Sequence, residues 1–252
     1  MRALRPLAVA FGFLTRLPVG NGSVDEADLG RSLGWFPAVG LAFGLLLAGA
    51  ACLLHDHVPS TLLAVGLVAL LAALSGGLHL DGLADVFDGL GGGRGDRERM
   101  LAIMRDSHIG AHGAAALVLL LAAKAAAVHE VLRAGSGWAL FCCPVVARWA
   151  AVPLLVLFPY ARAQGLGRAM TDHGRPRHLV FATVLAAACV GWSGSRTLVP
   201  TASALIAALG LAVLMWRRLG GLTGDVYGAT IELAELAFLV AASLDSQQME
   251  MT

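Results

Sequence analysis

The hydrophobic positions of this chain come in long unbroken runs, not in the alternation of a half-exposed strand or the stripe of a surface helix. Runs long enough to cross roughly 30 Å of hydrocarbon lie at Trp35–Leu54, Thr61–Leu80, Gly113–Leu132, Trp138–Phe158, Leu198–Trp216 and Val226–Leu244, with a shorter one at Leu179–Trp192. The pattern predicts an all-α fold, a polytopic integral membrane helical bundle of about seven transmembrane helices. A further apolar stretch, Leu4–Leu14, is short and flanked by Arg2, Arg5 and Arg16. No small-residue cleavage site follows it and Arg16-Leu17-Pro18 interrupts it, so it reads as an N-terminal interfacial or re-entrant helix, not as a signal peptide. Between the second and third runs, Met100, Leu101, Met104 and Ile109 have partly helical spacing, which predicts a short cytoplasmic amphipathic helix over Asp96–Asp106 at the membrane surface. With no soluble domain, fixed-period repeat or low-complexity linker, residues 1–252 read as a single membrane-embedded domain.

Composition and charge sharpen this. Hydrophobic residues make up 58% and charged residues 14%, outside the range of soluble domains. Of the 18 basic residues, four precede the first span (Arg2, Arg5, Arg16, Arg31), four lie in the loop Asp81–Gly110 (Arg94, Arg97, Arg99, Arg105) and four in the loop Pro159–His178 (Arg162, Arg168, Arg175, Arg177). Arg217 and Arg218 follow the sixth span, whereas the alternate loops carry Arg133 and Arg196, so the basic loops and the N-terminus are expected in the cytoplasm. The net charge of +1 supports no nucleic-acid partner; the partner is the lipid bilayer. Cys52, Cys142, Cys143 and Cys189 have no CxxC spacing and read as small buried hydrophobes. Frequent Gly and Ala in the spans allow close helix contacts within or between chains, which leaves room for a homo-oligomer.

Against this apolar background, Asp81, Asp85 and Asp88 stand out in HLDGLADVFDG. On a helix, steps of four and three put all three within an arc of roughly 60°. Such carboxylates repel one another without a cation, and hard oxygen donors with no accompanying His/Cys spacing point to Mg²⁺. Asp225, Glu232 and Glu235 form a second acidic set. Asp225 follows Thr223-Gly224 at a helix start, where capping accounts for it unless the spans bring it beside Asp81. Glu232 and Glu235 lie inside the last span and are expected either to pair with Lys124 and Arg148, the two cations inside other spans, or to leave those cations free for substrate. GGGRG at Gly91–Gly95 lacks a P-loop Lys-Ser/Thr and reads as a connector. Oxygen-ligated metal near a membrane surface, arginines and no nucleophile motif suit phosphoryl transfer. Arg105 is then the candidate for holding phosphate. His79, or His108 and His112, could move a proton, although a lone histidine is more often structural.

Five segments carry a resemblance: FLTRLPV at Phe13–Val19, WFPAVG at Trp35–Gly40, GGLHLDGLADVFDG at Gly76–Gly89, RMLAIMRDSHIGAHG at Arg99–Gly113 and LTGDVYGATIELAEL at Leu222–Leu236. In order and spacing they resemble the cobalamin synthase, or adenosylcobinamide-GDP ribazoletransferase, family of membrane enzymes. The resemblance implies a Mg²⁺-dependent transferase of the bacterial cytoplasmic (inner) membrane, multi-pass, with its active site on the cytoplasmic side. Its substrates would be adenosylcobinamide-GDP and α-ribazole or its 5′-phosphate, and its products adenosylcobalamin or its phosphate, plus GMP. Residue by residue, Asp81, Asp85 and Asp88 become first-choice metal ligands, with Asp106 and Asp225 completing the set. Arg105 would hold the pyrophosphate, His79 would serve the proton, and Lys124, Arg148 and Thr223 would contact substrate. The aspartate cluster also looks like a variant of the CDP-alcohol phosphotransferase site, from which it departs where Ala84 is followed by Asp85. A phospholipid-forming phosphotransferase and a transporter are the competing classes; release of a nucleotide product separates the transporter from both enzymes.

Overall fold

The structure, a computed structural model, describes residues 4–15 and 25–250, with side chains as far as Leu244. Every regular element among them is helical. The short N-terminal helix is α1 (Arg5–Leu14); Arg2 and the Arg16-Leu17-Pro18 break lie outside the described residues. Next, α2 (Glu26–Ser32) passes through a 3-10 turn at Leu33–Trp35 into α3 (Phe36–Leu54). Then follow α4 (Ser60–Leu74), α5 (Leu78–Gly92), α6 (Arg97–Ile103), α7 (Ala111–Arg133) and α8 (Gly137–Leu157). The chain ends with α9 (Leu166–His173), α10 (Pro176–Val190), α11 (Leu198–Leu219) and α12 (Gly224–Glu250). The amphipathic stretch expected over Asp96–Asp106 is α6, N-capped by Asp96, whose carboxylate accepts the Arg99 N–H at 2.8 Å.

All seven expected apolar runs lie largely in helices. Among the described residues five helical stretches are long and apolar enough to cross a membrane, and six if α4 and α5 are taken as one broken span. The run Thr61–Leu80 does not continue straight: α4 stops at Leu74 and α5 leaves it at 90°. The bend sits at Gly76 (φ +61°) and Gly77 (φ +75°), backbone that only glycine adopts without strain. The runs Leu179–Trp192 and Leu198–Trp216 fall in one 44-residue stretch, Pro176–Leu219, interrupted at Gly194 (φ 66°, ψ −146°). At 15 residues, α10 is only about 22 Å long, which is short for a span of its own.

α8 and α12 are buried over most of their length and form the centre. α3 packs on α8 through Gly40 and Gly44, one turn apart on one face; a Cβ at either would strike the carbonyl oxygen of Pro144 or Phe141. The polar heart of this centre is ionic. Lys124 of α7 donates to both Glu232 and Glu235 of α12, and Arg148 of α8 donates to Glu235. All four groups are buried, two cations against two anions, and the Arg148 guanidinium also lies 4.6 Å from the centroid of the Phe43 ring.

Two stability tests follow from this packing. Gly44→Ala should lower the thermal midpoint of the detergent-solubilised protein, by about 1–3 kcal/mol in stability, as overpacking does. Gly49→Ala, where nothing lies within 4 Å, should be neutral or raise it by up to ~1 kcal/mol. Lys124→Met should cost about 3–5 kcal/mol, because it leaves buried Glu232 unpaired, and Glu232→Gln in the same chain should restore part of the loss. Size-exclusion recovery after heating reads both.

Candidate active site

The site begins at the bend. Because α5 starts abruptly at Gly77, its first turn lies across the first turns of α12, and a glycine on each helix sets their separation. A Cβ at Gly82 would stand 2.7 Å from the Asp225 carbonyl oxygen, and one at Gly228 would stand 3.1 Å from the His79 Cα. This close approach puts Asp81 and Asp85 beside Asp225. Thr223, fully buried, caps α12: its hydroxyl accepts the Val226 N–H at 3.4 Å and donates to the Asp225 carboxylate at 3.2 Å. The Asp225 charge also sits at the positive end of the helix dipole.

The segment between α8 and α9 closes the other side. It is stitched to the start of α12 by a parallel bridge between Tyr160 and Leu222, with the Ala161 N–H donating to the Leu222 carbonyl and the Leu222 N–H to that of Pro159, both at 2.8 Å. Arg97 of α6 holds the same junction, donating to the carbonyls of Leu219 (2.7 Å) and Ala161 (3.2 Å). Arg162 then reaches inward, donating to the Asp225 carboxylate at 2.7 Å and to the Met104 carbonyl at 3.2 Å. Burial pushes the Tyr160 phenol above its ordinary pKa, with Arg162 opposing; the Tyr160 and Tyr227 rings stack with centroids 6.4 Å apart.

Between these elements lies a cavity of about 270 Å³, lined by His79, Asp81, Tyr160, Arg162, Asp225 and Tyr227 among others. Its electrostatics are lopsided. The charges of Asp225, Asp81 and Asp88 act repulsively on Asp85, and Arg162 offsets them only in part. No three His, Cys, Asp or Glu side chains among the described residues converge closely enough to hold a metal ion as they stand. The donor set nevertheless fits a hard divalent cation: Asp81, Asp85 and Asp225 supply carboxylate oxygens, in excess of positive charge, on two helices in close contact.

The remaining sequence candidates lie elsewhere. Asp88 shares the α5 face of Asp81 and Asp85, but its carboxylate is buried and accepts the backbone N–H groups of Gly110 (2.7 Å) and Gly113 (2.8 Å), capping α7. Both glycines are needed there, since a Cβ on either would collide with it. Asp106 is exposed and bonded to His108 at 2.6 Å, a bond that holds its carboxyl below the usual carboxylate range. Arg105, His108 and His112 are also exposed. Lys124 and Arg148 do not line the cavity; their charges are spent on Glu232 and Glu235. Sequence reasoning passed over Arg162, Tyr160 and Tyr227. By charge count Arg162 was one of four equivalent arginines in its loop, and the sequence signal that could have singled it out was its place two residues after Pro159-Tyr160.

Fold and site together define a polytopic helical membrane protein with an acidic, arginine-bearing cavity at one end of its central helices, an arrangement suited to handling phosphate esters. Residues 6–243 match the family described as Cobalamin-5-phosphate synthase. The chain is 46% identical to the adenosylcobinamide-GDP ribazoletransferase of Ectopseudomonas mendocina (strain ymp), over 94% of this chain and 97% of that one. It is 43% identical to the protein of the same name from Pseudomonas savastanoi pv. phaseolicola (95% and 99% covered) and 44% identical to that of Pseudomonas entomophila (95% and 98%). No solved structure matches it. The chain belongs to the cobalamin-5-phosphate synthase family.

The capping role of Asp88 is testable. Asp88→Asn replaces one acceptor by a donor facing a backbone N–H, and should lower stability by about 1–3 kcal/mol, seen as a lower thermal midpoint. A variant as stable as wild type would return Asp88 to the candidate metal ligands.

Proposed function

We propose that this chain joins adenosylcobinamide-GDP to α-ribazole, or to its 5′-phosphate, giving adenosylcobalamin or its 5′-phosphate and GMP. It would act as a single membrane-embedded catalytic domain in the bacterial cytoplasmic membrane, with the cavity on the cytoplasmic side, a reading that the basic loops support through the positive-inside rule. The observation that carries the reading is the meeting of Asp81, Asp225 and Arg162 at one cavity, with Asp85 within reach of their charges, in a chain whose relatives bear the name of this transferase.

In the reaction a free ribose hydroxyl of the ribazole, not the 5′ oxygen that can carry its phosphate, attacks the phosphorus attached to the cobinamide arm. The bond from that phosphorus to the bridging oxygen breaks, and GMP leaves with the oxygen. Arg162 is the cation of the cavity wall and can turn from Asp225 toward the phosphate oxygens, which its planar fork suits. Asp81, Asp85 and Asp225 would hold Mg²⁺, which when bound neutralises pyrophosphate charge and aligns the diphosphate. The proton of the attacking hydroxyl leaves to solvent at the exposed edge of the cavity beside Asp81. The buried Thr223 hydroxyl acts through Asp225, holding its carboxylate on the cavity side.

Purified protein given both substrates should form GMP and cobalamin in equal amounts, and EDTA should abolish both. Asp81→Ala should reduce turnover by about 100-fold or more while still inserting in the membrane. Turnover retained in Asp81→Ala removes that residue from the site. Absence of any nucleotide product from folded wild type, or preference for a CDP-alcohol donor, points instead to the transporter or the phospholipid enzyme.

A further inference from the structure

We propose that the inner part of the cavity seats the aromatic base of the acceptor, and that His79 recognises that base through its one free ring nitrogen. The inference rests on the reaction proposed above and assigns the acceptor's half of the site.

Size comes first. A cavity of about 270 Å³ is at the small end for organic ligands, which occupy roughly 300–1,000 Å³. It can take one bicyclic ring and part of a sugar, and it cannot take a corrin macrocycle. Polarity then divides the space. Asp81, Arg162 and Asp225 contribute charge, whereas Phe13, Phe36, Tyr227 and Ile231 contribute apolar and aromatic wall. A nucleoside diphosphate belongs with the arginine and not against that wall, because a charged group loses hydration there with nothing in return.

His79 supplies the specific signal. It lines the cavity, is 2% exposed, and neither of its ring nitrogens has a hydrogen-bond partner. Its charged neighbours Lys124, Arg148, Glu232 and Glu235 are bonded to one another and leave it out. A buried imidazole without partners costs free energy that a ligand with a complementary group recovers. A neutral imidazole offers one N–H and one lone pair. In a benzimidazole riboside one ring nitrogen carries the sugar, so the other is an acceptor only, and it fits the His79 N–H. With the base among Phe13, Phe36 and Tyr227, the sugar extends toward Asp81 and Arg162 on the same cavity wall, which is where its free ribose hydroxyl has to react.

The test compares α-ribazole with the indole riboside of the same shape, in which C–H replaces the free ring nitrogen. Binding is measured by isothermal titration to the detergent-solubilised protein, and KM is measured with adenosylcobinamide-GDP present. Wild type should bind the indole riboside at least about tenfold more weakly, since a buried donor rejects a ligand lacking its acceptor. His79→Leu should bind the two alike, and Ile231→Trp, which fills the cavity, should bind neither. Equal affinity of wild type for both ligands overturns the inference even if His79→Leu fails to fold. Normal GMP formation with that equal affinity leaves the proposed reaction standing and removes only the assignment of the base. No binding of α-ribazole and no GMP from folded wild type sinks both.

Discussion

Everything at the cavity depends on four buried charges that do not line it. Lys124, Arg148, Glu232 and Glu235 sum to zero, and in a setting without water each can stay charged only if the others stay in place. That requirement fixes the rotation of α12, since Glu232 and Glu235 have to face α7 and α8 together. Asp225 lies seven residues before Glu232, two turns and about 10 Å along the axis, so it falls on nearly the same face. Fixing the ionic centre therefore also aims the first turn of α12, with Asp225 and Gly228, at α5. The cluster takes no part in lining the cavity, yet it decides what the cavity wall is.

The second constraint is steric. Like-charged carboxylates on α5 and α12 would push the helices apart, but Gly82 and Gly228 let the backbones come close enough for packing to hold them. The negative charge around Asp85 is thus a consequence of packing that the single guanidinium of Arg162 does not neutralise. A site assembled in this way gathers carboxylates on two closely packed helices and so favours cationic over anionic groups beside them.

These dependencies explain what could be read in the sequence. Helix type and approximate extent were legible, because long apolar runs admit few other structures in lipid. Direction was not: Thr61–Leu80 is as hydrophobic as a straight span, and only the backbone of Gly76 and Gly77 turns it. The aspartate spacing correctly put Asp81, Asp85 and Asp88 on one face, but a face does not say which neighbour it meets. Asp81 meets α12 and the cavity, whereas Asp88 meets the N-terminus of α7. Lys124 and Arg148 were read two ways, and the ion-pair alternative is the one the packing realises. Arg162 was hidden because its role comes from a bridge between Tyr160 and Leu222, residues 62 positions apart, and no local pattern announces such a contact.

The same geometry bears on how a small cavity can serve a large substrate. A space of about 270 Å³ cannot enclose a corrin ring and a guanine nucleotide together, so under the proposed reaction most of the donor would lie outside it, and the surface formed by α6, the segment Pro159–Gly165 and the start of α12 adjoins the cavity. Arg97 ties those elements to one another by bonds to Leu219 and Ala161, and Arg162 adds the Met104 carbonyl. That surface is therefore braced by Arg97, and Arg162 ties it to the cavity beneath it. A donor resting there would bring only its diphosphate to the carboxylates, while the acceptor reaches them from inside. Two substrates of unequal size then approach one reacting phosphorus from opposite sides, which is the arrangement an in-line displacement requires.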